Sequence, residues 1–361
     1  MKKTLLKVVA LVLMGLSSAS AANTLSPEEL IKAGHWKRAR AIVEPRYKAD
    51  PGDPELNYLL SEIQDAFRNL ERARQLAQEA VALNGTDARY HLQLAIVDGK
   101  TAESASLFAR AGWAKKFRIE AEKAAQLDPK SLDARFSLLE FYLQAPRLMG
   151  GGRDKAETMA AEIARIDPAS GALAAARLAQ SEKDAVREES GYLKAIALDP
   201  ANYEALIRLG LFYTRKPNPK LDLAGKYGRQ AVAADPSRVD GYSLLASALA
   251  SEARWSELDS VLVEAAKNVP EDLTPCYQAS QAIVEGSTQR SPDLDRAESY
   301  LRRYLSAEPE GNAPSLAYAH WRLGLVLGKA GRRPEAVSEL RLAFQLDPNL
   351  EEASRDLKRM E

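Results

Sequence analysis

A short helix-ending phrase recurs nine times in this chain and leaves little freedom in how it folds. It reads KADP at 48–51, ALNG at 82–85, QLDP at 126–129, RIDP at 165–168, ALDP at 197–200, AADP at 233–236, KNVP at 267–270, SAEP at 306–309 and QLDP at 345–348. Counted between the closing Pro or Gly residues, the intervals are 34, 44, 39, 32, 36, 34, 39 and 39 residues. Proline lacks a backbone N–H and blocks the preceding turn, so each mark stops one helix and permits the next to begin. Two helices fit between successive marks. One such hairpin cannot bury its apolar face alone, whereas stacked hairpins share a continuous core.

Columns of small residues support this. Twelve positions before each mark stand Ala39, Ala73, Phe117, Ala156, Glu188, Ala224, Leu258, Ala297 and Ala336; five before stand Arg46, Ala80, Ala124, Ile163, Ala195, Ala231, Ala265, Tyr304 and Ala343. Twelve of these 18 positions are alanine. The 61 alanines among 361 residues would place about three there by chance. Alanine lets two helix axes approach closely. In Tyr203–Pro236, Leu209, Gly210 and Tyr213 precede Ala224, Ala231 and Pro236, and Leu323-Gly324, Ala336, Ala343 and Pro348 repeat the order. In these residues the chain resembles the tetratricopeptide repeat family over nearly all of 25–350. Gly85 for the closing proline, Phe117 and Glu188 for small residues, and an ill-defined unit at 270–309 depart from the family pattern.

The resemblance implies an all-α fold: an α-solenoid of about eight to nine helix–turn–helix repeats forming a single domain over 22–361, with residues 350–361 as a polar capping helix. The longest intervals place insertions near 99–116, where a helix is extended or a short one added, and near 145–153, where Pro146 and Gly150-Gly151-Gly152 break helix. With these insertions the chain is similar to a set of secreted bacterial repeat proteins, a likeness that implies a location and no activity.

Residues 1–21 read as a secretory signal peptide. Lys2, Lys3 and Lys7 precede an apolar run from Val8 to Leu16, and Ala19-Ser20-Ala21 forms a small-x-small cleavage site. The run is too short to span a bilayer, which takes about 20 apolar residues, and no cysteine follows it to carry a lipid. The expected location is a bacterial periplasm, with no integral membrane span after signal removal. Asn84-Gly85-Thr86 matches a glycosylation sequon, to which a bacterial export route gives no use.

The charge balance narrows the partners. Fifty basic residues meet 50 acidic ones, which argues against a nucleic-acid partner that needs a basic stripe. Cys276 is the only cysteine, so no intrachain disulfide or cysteine metal cluster forms. His35, His91 and His320 lie far apart outside any H-E-x-x-H, and read as surface or packing residues. RLMGGGRDKAET at 147–158 lacks the Gly-Lys-Ser/Thr of a phosphate loop, and Gly324–Ala330 is one residue short of one. The reading is a protein without catalytic, metal or cofactor residues.

What the family resemblance implies is a concave groove lined by the second, fifth and ninth places of each first helix. Counted so, the partner groove holds Glu55, Tyr58, Glu62, Phe136, Glu140, Ile207, Leu211, Tyr318 and Trp321. Aromatic anchors among carboxylates suit a peptide or protein segment, although Phe136 and Trp321 equally suit inter-repeat core. The Lys/Asn/Arg set with which chaperone-binding relatives clamp an acidic C-terminal tail is replaced by acidic or apolar residues, so no such tail is expected. Three readings follow: a non-catalytic interaction scaffold in the cell envelope, a component of an envelope export or assembly machine such as one for polysaccharide, and an enzyme on a repeat frame.

Overall fold

The recurring phrase works as a two-part stop signal. In the first part, the Asp that precedes proline at six of the nine marks donates its backbone N–H to the carbonyl four residues back, as Asp128 does to Ala124 at 2.9 Å and Asp235 to Ala231 at 3.0 Å. In the second, its side chain turns forward and accepts from the N–H two residues on: Lys130 to Asp128 at 2.9 Å, Ala201 to Asp199 at 3.1 Å, Ser237 to Asp235 at 3.0 Å and Asn349 to Asp347 at 3.0 Å. Asn84 makes the same turn to Thr86 at 3.2 Å. The Asx side chain therefore carries the turn, and Gly85 replaces proline without loss. At Asp167 the loop vanishes: this residue ends one helix and caps the next, accepting from Ser170 at 2.6 Å.

The protein's computed structural model describes residues 25–286 and 292–361. The expected signal peptide at 1–21 lies outside the described residues. Nineteen α-helices follow one another, and no strand occurs among the described residues. They form nine antiparallel pairs: α1 (Pro27–Ala33) with α2 (Trp36–Ala49), α3 (Pro54–Ala66) with α4 (Leu70–Leu83), α5 (Ala88–Ser104) with α6 (Leu107–Leu127), α7 (Leu132–Gln144) with α8 (Arg153–Ile166), α9 (Pro168–Ser181) with α10 (Ala185–Leu198), α11 (Tyr203–Tyr213) with α12 (Leu221–Ala234), α13 (Val239–Ser251) with α14 (Trp255–Asn268), α15 (Thr274–Gln281) with α16 (Leu294–Tyr304), and α17 (Leu316–Lys329) with α18 (Arg333–Leu346). A last helix, α19 (Glu351–Met360), covers the C-terminal end. No described helix is long and apolar enough to cross a membrane.

All twelve alanines of the two columns are buried, eleven of them without any exposure. The departures are compensated by their neighbours. Phe117 fits because the facing position on α5 is Gly99, where a Cβ would stand 2.9 Å from the ring. Glu188 is buried, but Arg215 of the next pair grips it with two hydrogen bonds of 2.7 and 2.8 Å, and the Tyr192 hydroxyl donates at 3.1 Å. The insertion near 99–116 lengthens both α5 and α6 and adds no separate helix. That near 145–153 is a single 3-10 turn at Arg147–Met149, followed by Gly150 at φ 96°.

The stack curves until its beginning meets its end. The Lys37 backbone N–H donates to Glu310 Oε1 at 2.8 Å, and Lys37 Nζ donates to the carbonyls of Glu271 and Glu308 at 2.9 and 2.8 Å. Arg40 bonds both oxygens of Glu308 at 3.1 and 2.9 Å, and Asn312 N–H donates to the Ala66 carbonyl at 2.9 Å. More than 230 residues separate the partners of each bond. The first two pairs thus close on the loops that flank the eighth, and nine pairs complete slightly more than one superhelical turn.

Candidate functional site

First helices line the inner wall of this ring, and α11, α13, α15 and α17 together enclose a cavity of about 840 Å³. Ile207 and Leu211 come to it from α11, Asp240, Ser243 and Ser247 from α13, Tyr277, Gln278 and Gln281 from α15, and Tyr318 from α17. Across the opening stand Arg68, from the turn between α3 and α4, and Asn312 of the closing contact. The cavity therefore borrows a wall from the other end of the chain.

The lining is neutral and rich in hydrogen-bonding groups. Its two carboxylates are already engaged: Arg238 lies 3.5 Å from Asp240, and Arg322 lies 2.5 Å from Glu285. Burial pushes the Asp240 carboxyl above its ordinary range. Arg322 also donates to the Tyr277 hydroxyl at 2.7 Å, which fixes that ring at the cavity wall. The hydroxyls of Ser243 and Thr274 are buried and have no protein partner. Groups of this kind lose free energy unless something bonds them.

The remaining sequence-derived groove residues fall in three other places. Phe136 and Glu140 line a second cavity of about 490 Å³ with Arg177, Tyr192, Glu204 and Arg208. Phe136 also packs against the buried cores on both sides, so it serves core and wall together. Glu140 is held by Arg177 through bonds of 2.5 and 2.7 Å. Glu55 accepts from Arg89 at 2.8 and 2.7 Å and from the Tyr90 hydroxyl at 2.8 Å, while the Tyr58 ring lies 5.3 Å from that of Tyr90. Beside them, burial pushes the Glu62 carboxyl up to about 7, and the adjoining Tyr58 hydroxyl pulls the other way. Trp321 is engaged by the last helix, its indole N–H donating to Asp356 at 2.9 Å.

Several wall residues were not legible beforehand. Gln278 and Gln281 sit on α15, in the unit whose repeat pattern is weakest, so no register was available to count from. Arg68 and Asn312 belong to turns, which a count along first helices passes over; only closure of the ring brings them to the cavity.

The three histidines and the cysteine are paired with carboxylates or buried. His91 pairs with Glu120 at 2.6 Å and His320 with Glu339 at 2.7 Å, while His35 is buried 4.0 Å from Glu271. The Cys276 thiol is buried, and that burial raises its pKa. Among the described residues no three His, Cys, Asp or Glu side chains gather as a metal site.

Helix pairs with alanine-filled contacts, a curved stack and an inner wall of first helices define an α-helical repeat protein with a concave inner surface. Residues 30–96 match the tetratricopeptide repeat family model. No curated protein matches it. Among solved structures it is similar to TTC0263, a thermophilic repeat protein of Thermus thermophilus, at 20% identity over 52% of this chain and 94% of that one, with a TM-score of 0.46. Pseudomonas aeruginosa pilF is similar at 18% identity over 64% and 98%, with a TM-score of 0.41. A human IFIT1 dimer with PPP-AAAA is similar at 14% identity over 92% and 80%, with a TM-score of 0.49. Tetratricopeptide repeat proteins are in general protein–protein interaction scaffolds without catalysis.

Proposed function

We propose that this protein is a non-catalytic interaction scaffold of the bacterial cell envelope, holding a peptide or protein segment against the inner wall of its ring. The observation that carries this reading is the 840 Å³ cavity, with apolar Ile207 and Leu211 beside the unpartnered hydroxyls of Ser243 and Thr274. Extended main chain offers one N–H and one carbonyl per residue. Gln278, Gln281, Ser243 and Asn312 are the complementary side chains, and the apolar residues supply anchoring contacts. The basic, apolar and small-residue sequence of 1–21 supports export as the route to the envelope.

Affinity capture from a bacterial envelope extract tests the scaffold. A specific partner is expected on wild-type protein and is lost with Leu211→Asp or Tyr318→Ala, while helicity is kept. Equal capture by wild type and both variants removes the groove from the function. For the location, residues 1–22 fused to an enzyme active only after export should yield activity outside the cytoplasm; an inactive fusion refutes the envelope assignment.

A further inference from the structure

The contact between the first two pairs and the eighth joins segments remote in the chain, and it is made between turns and the start of α2. Consecutive pairs pack helix against helix, as α4 does on α5; no apolar cluster spans this junction, and the core of α1–α4 and the core that holds α15–α17 are separate. The junction is made of hydrogen bonds from Lys37, Arg40 and Arg68 to loop carbonyls and carboxylates, around one small apolar contact. That contact depends on Gly311. A Cβ there would stand 2.7 Å from Trp36 Cγ and 2.9 Å from the Ala66 Cβ, so the two turns meet only because this position has no side chain. Arg68, which bonds the Ala313 carbonyl at 3.3 Å as part of the junction, also lines the cavity.

We infer that this junction is a reversible clasp that opens to admit an extended peptide segment and closes over it, completing the cavity with Arg68 and Asn312. The inference rests on the groove reading above and adds its regulation. Closed, the ring leaves no lateral way in for a segment that continues at both ends. A polar junction without shared core is the element that can part while every helix pair stays folded, since the pairs on either side keep their own cores. Occupancy and closure are then linked: a segment that contacts both walls favours the closed state.

The test uses the full chain with Cys276→Ser and distance labels at Lys32→Cys and Ser306→Cys, on the two sides of the junction. Wild type should give one short distance. Gly311→Val, which wedges Trp36 from Ala66, and Lys37→Ala, which removes side-chain bonds, should each add a long-distance population at unchanged helicity. Dissociation of a pool of fluorescein-labelled, uncharged decapeptides is then followed. It should be at least tenfold faster from Gly311→Val than from wild type. Distances that stay short in both variants, or equal dissociation from wild type and Gly311→Val, overturn the clasp and leave the groove reading intact. A wild type that retains none of the pool overturns the groove reading, and gating with it, even where the distances respond.

Discussion

Two carboxylates, one half-buried and one buried, show how single residues respond to their surroundings. Glu62 is pushed up to about 7 by burial. A carboxyl held above its ordinary value binds its proton more tightly when folded than when unfolded, so ionising it costs stability as pH rises from about 4.5 through 7. Glu62→Gln cannot ionise. It should match wild type near pH 4 and exceed it at pH 8, by on the order of 2 kcal/mol, in urea melts at the two pH values. A gain of equal size at both pH values would remove ionisation as the cause. Glu188 is the opposite case, a buried charge with its partner supplied. Arg215→Ala leaves that carboxylate unpaired and should cost about 2–3 kcal/mol. Glu188→Ala with Arg215→Ala should cost clearly less, because alanine restores the small residue found at this position in the other pairs. Equal losses in the single and double variants would mean that the pair is not coupled.

For a helix pair, backbone approach decides what is tolerated. Ala224 has no exposure on α12, and on the same helix a Cβ at Gly228 would stand 3.1 Å from Leu245 of α13. Ala224→Leu should therefore overpack the contact and lower stability by about 1–3 kcal/mol, with Phe212→Leu costing less. Thermal melts by circular dichroism read both, and an Ala224→Leu melt equal to wild type would show that α12 sits in another register. The turn inside each pair offers a change of opposite sign. Gly34 at φ 87° and Gly331 at φ 79° end first helices in the left-handed conformation, and Ala253 occupies the same place at φ 55°. Each donates its N–H three residues back, and the next residue donates five back, as Arg254 does to Leu249 at 2.9 Å. Glycine carries no Cβ penalty there, so Ala253→Gly should stabilise by roughly 0.5–1 kcal/mol. A lower melting temperature would refute that.

Over the whole molecule, the ends receive different treatment. The C-terminal end is covered by α19, which buries Leu350 and Ala353 against Ala317, Ala343, Tyr318 and Trp321. Ending the chain at Asn349 removes that cover and should cost at least about 2 kcal/mol, the burial of one large aliphatic side chain. Because repeat arrays unfold from their weakest end, the loss should appear as early fraying of α17 and α18 in hydrogen exchange. Unchanged protection there would show that the last pair needs no cap. The N-terminal end instead docks on the loops around the eighth pair. Its polar bonds to Glu271, Glu308 and Glu310 make the ring closed without making it permanently so.

The sequence by itself determined the repeating unit. Asp or Asn before the stop, alanine at two places and the Leu-Gly pair are local rules, since helix ends and close helix contacts are decided by residues within one hairpin or the next. It also marked where those rules break, at Gly85, Phe117 and Glu188, without showing that Asn84, Gly99 and Arg215 make the breaks harmless. Only the tertiary structure decided that the stack returns on itself and that a cavity lies where Arg68 meets Tyr277 and Asn312. Curvature accumulates from small rotations at every interface, so no single position encodes which residues, more than 230 apart, face each other across the closed ring.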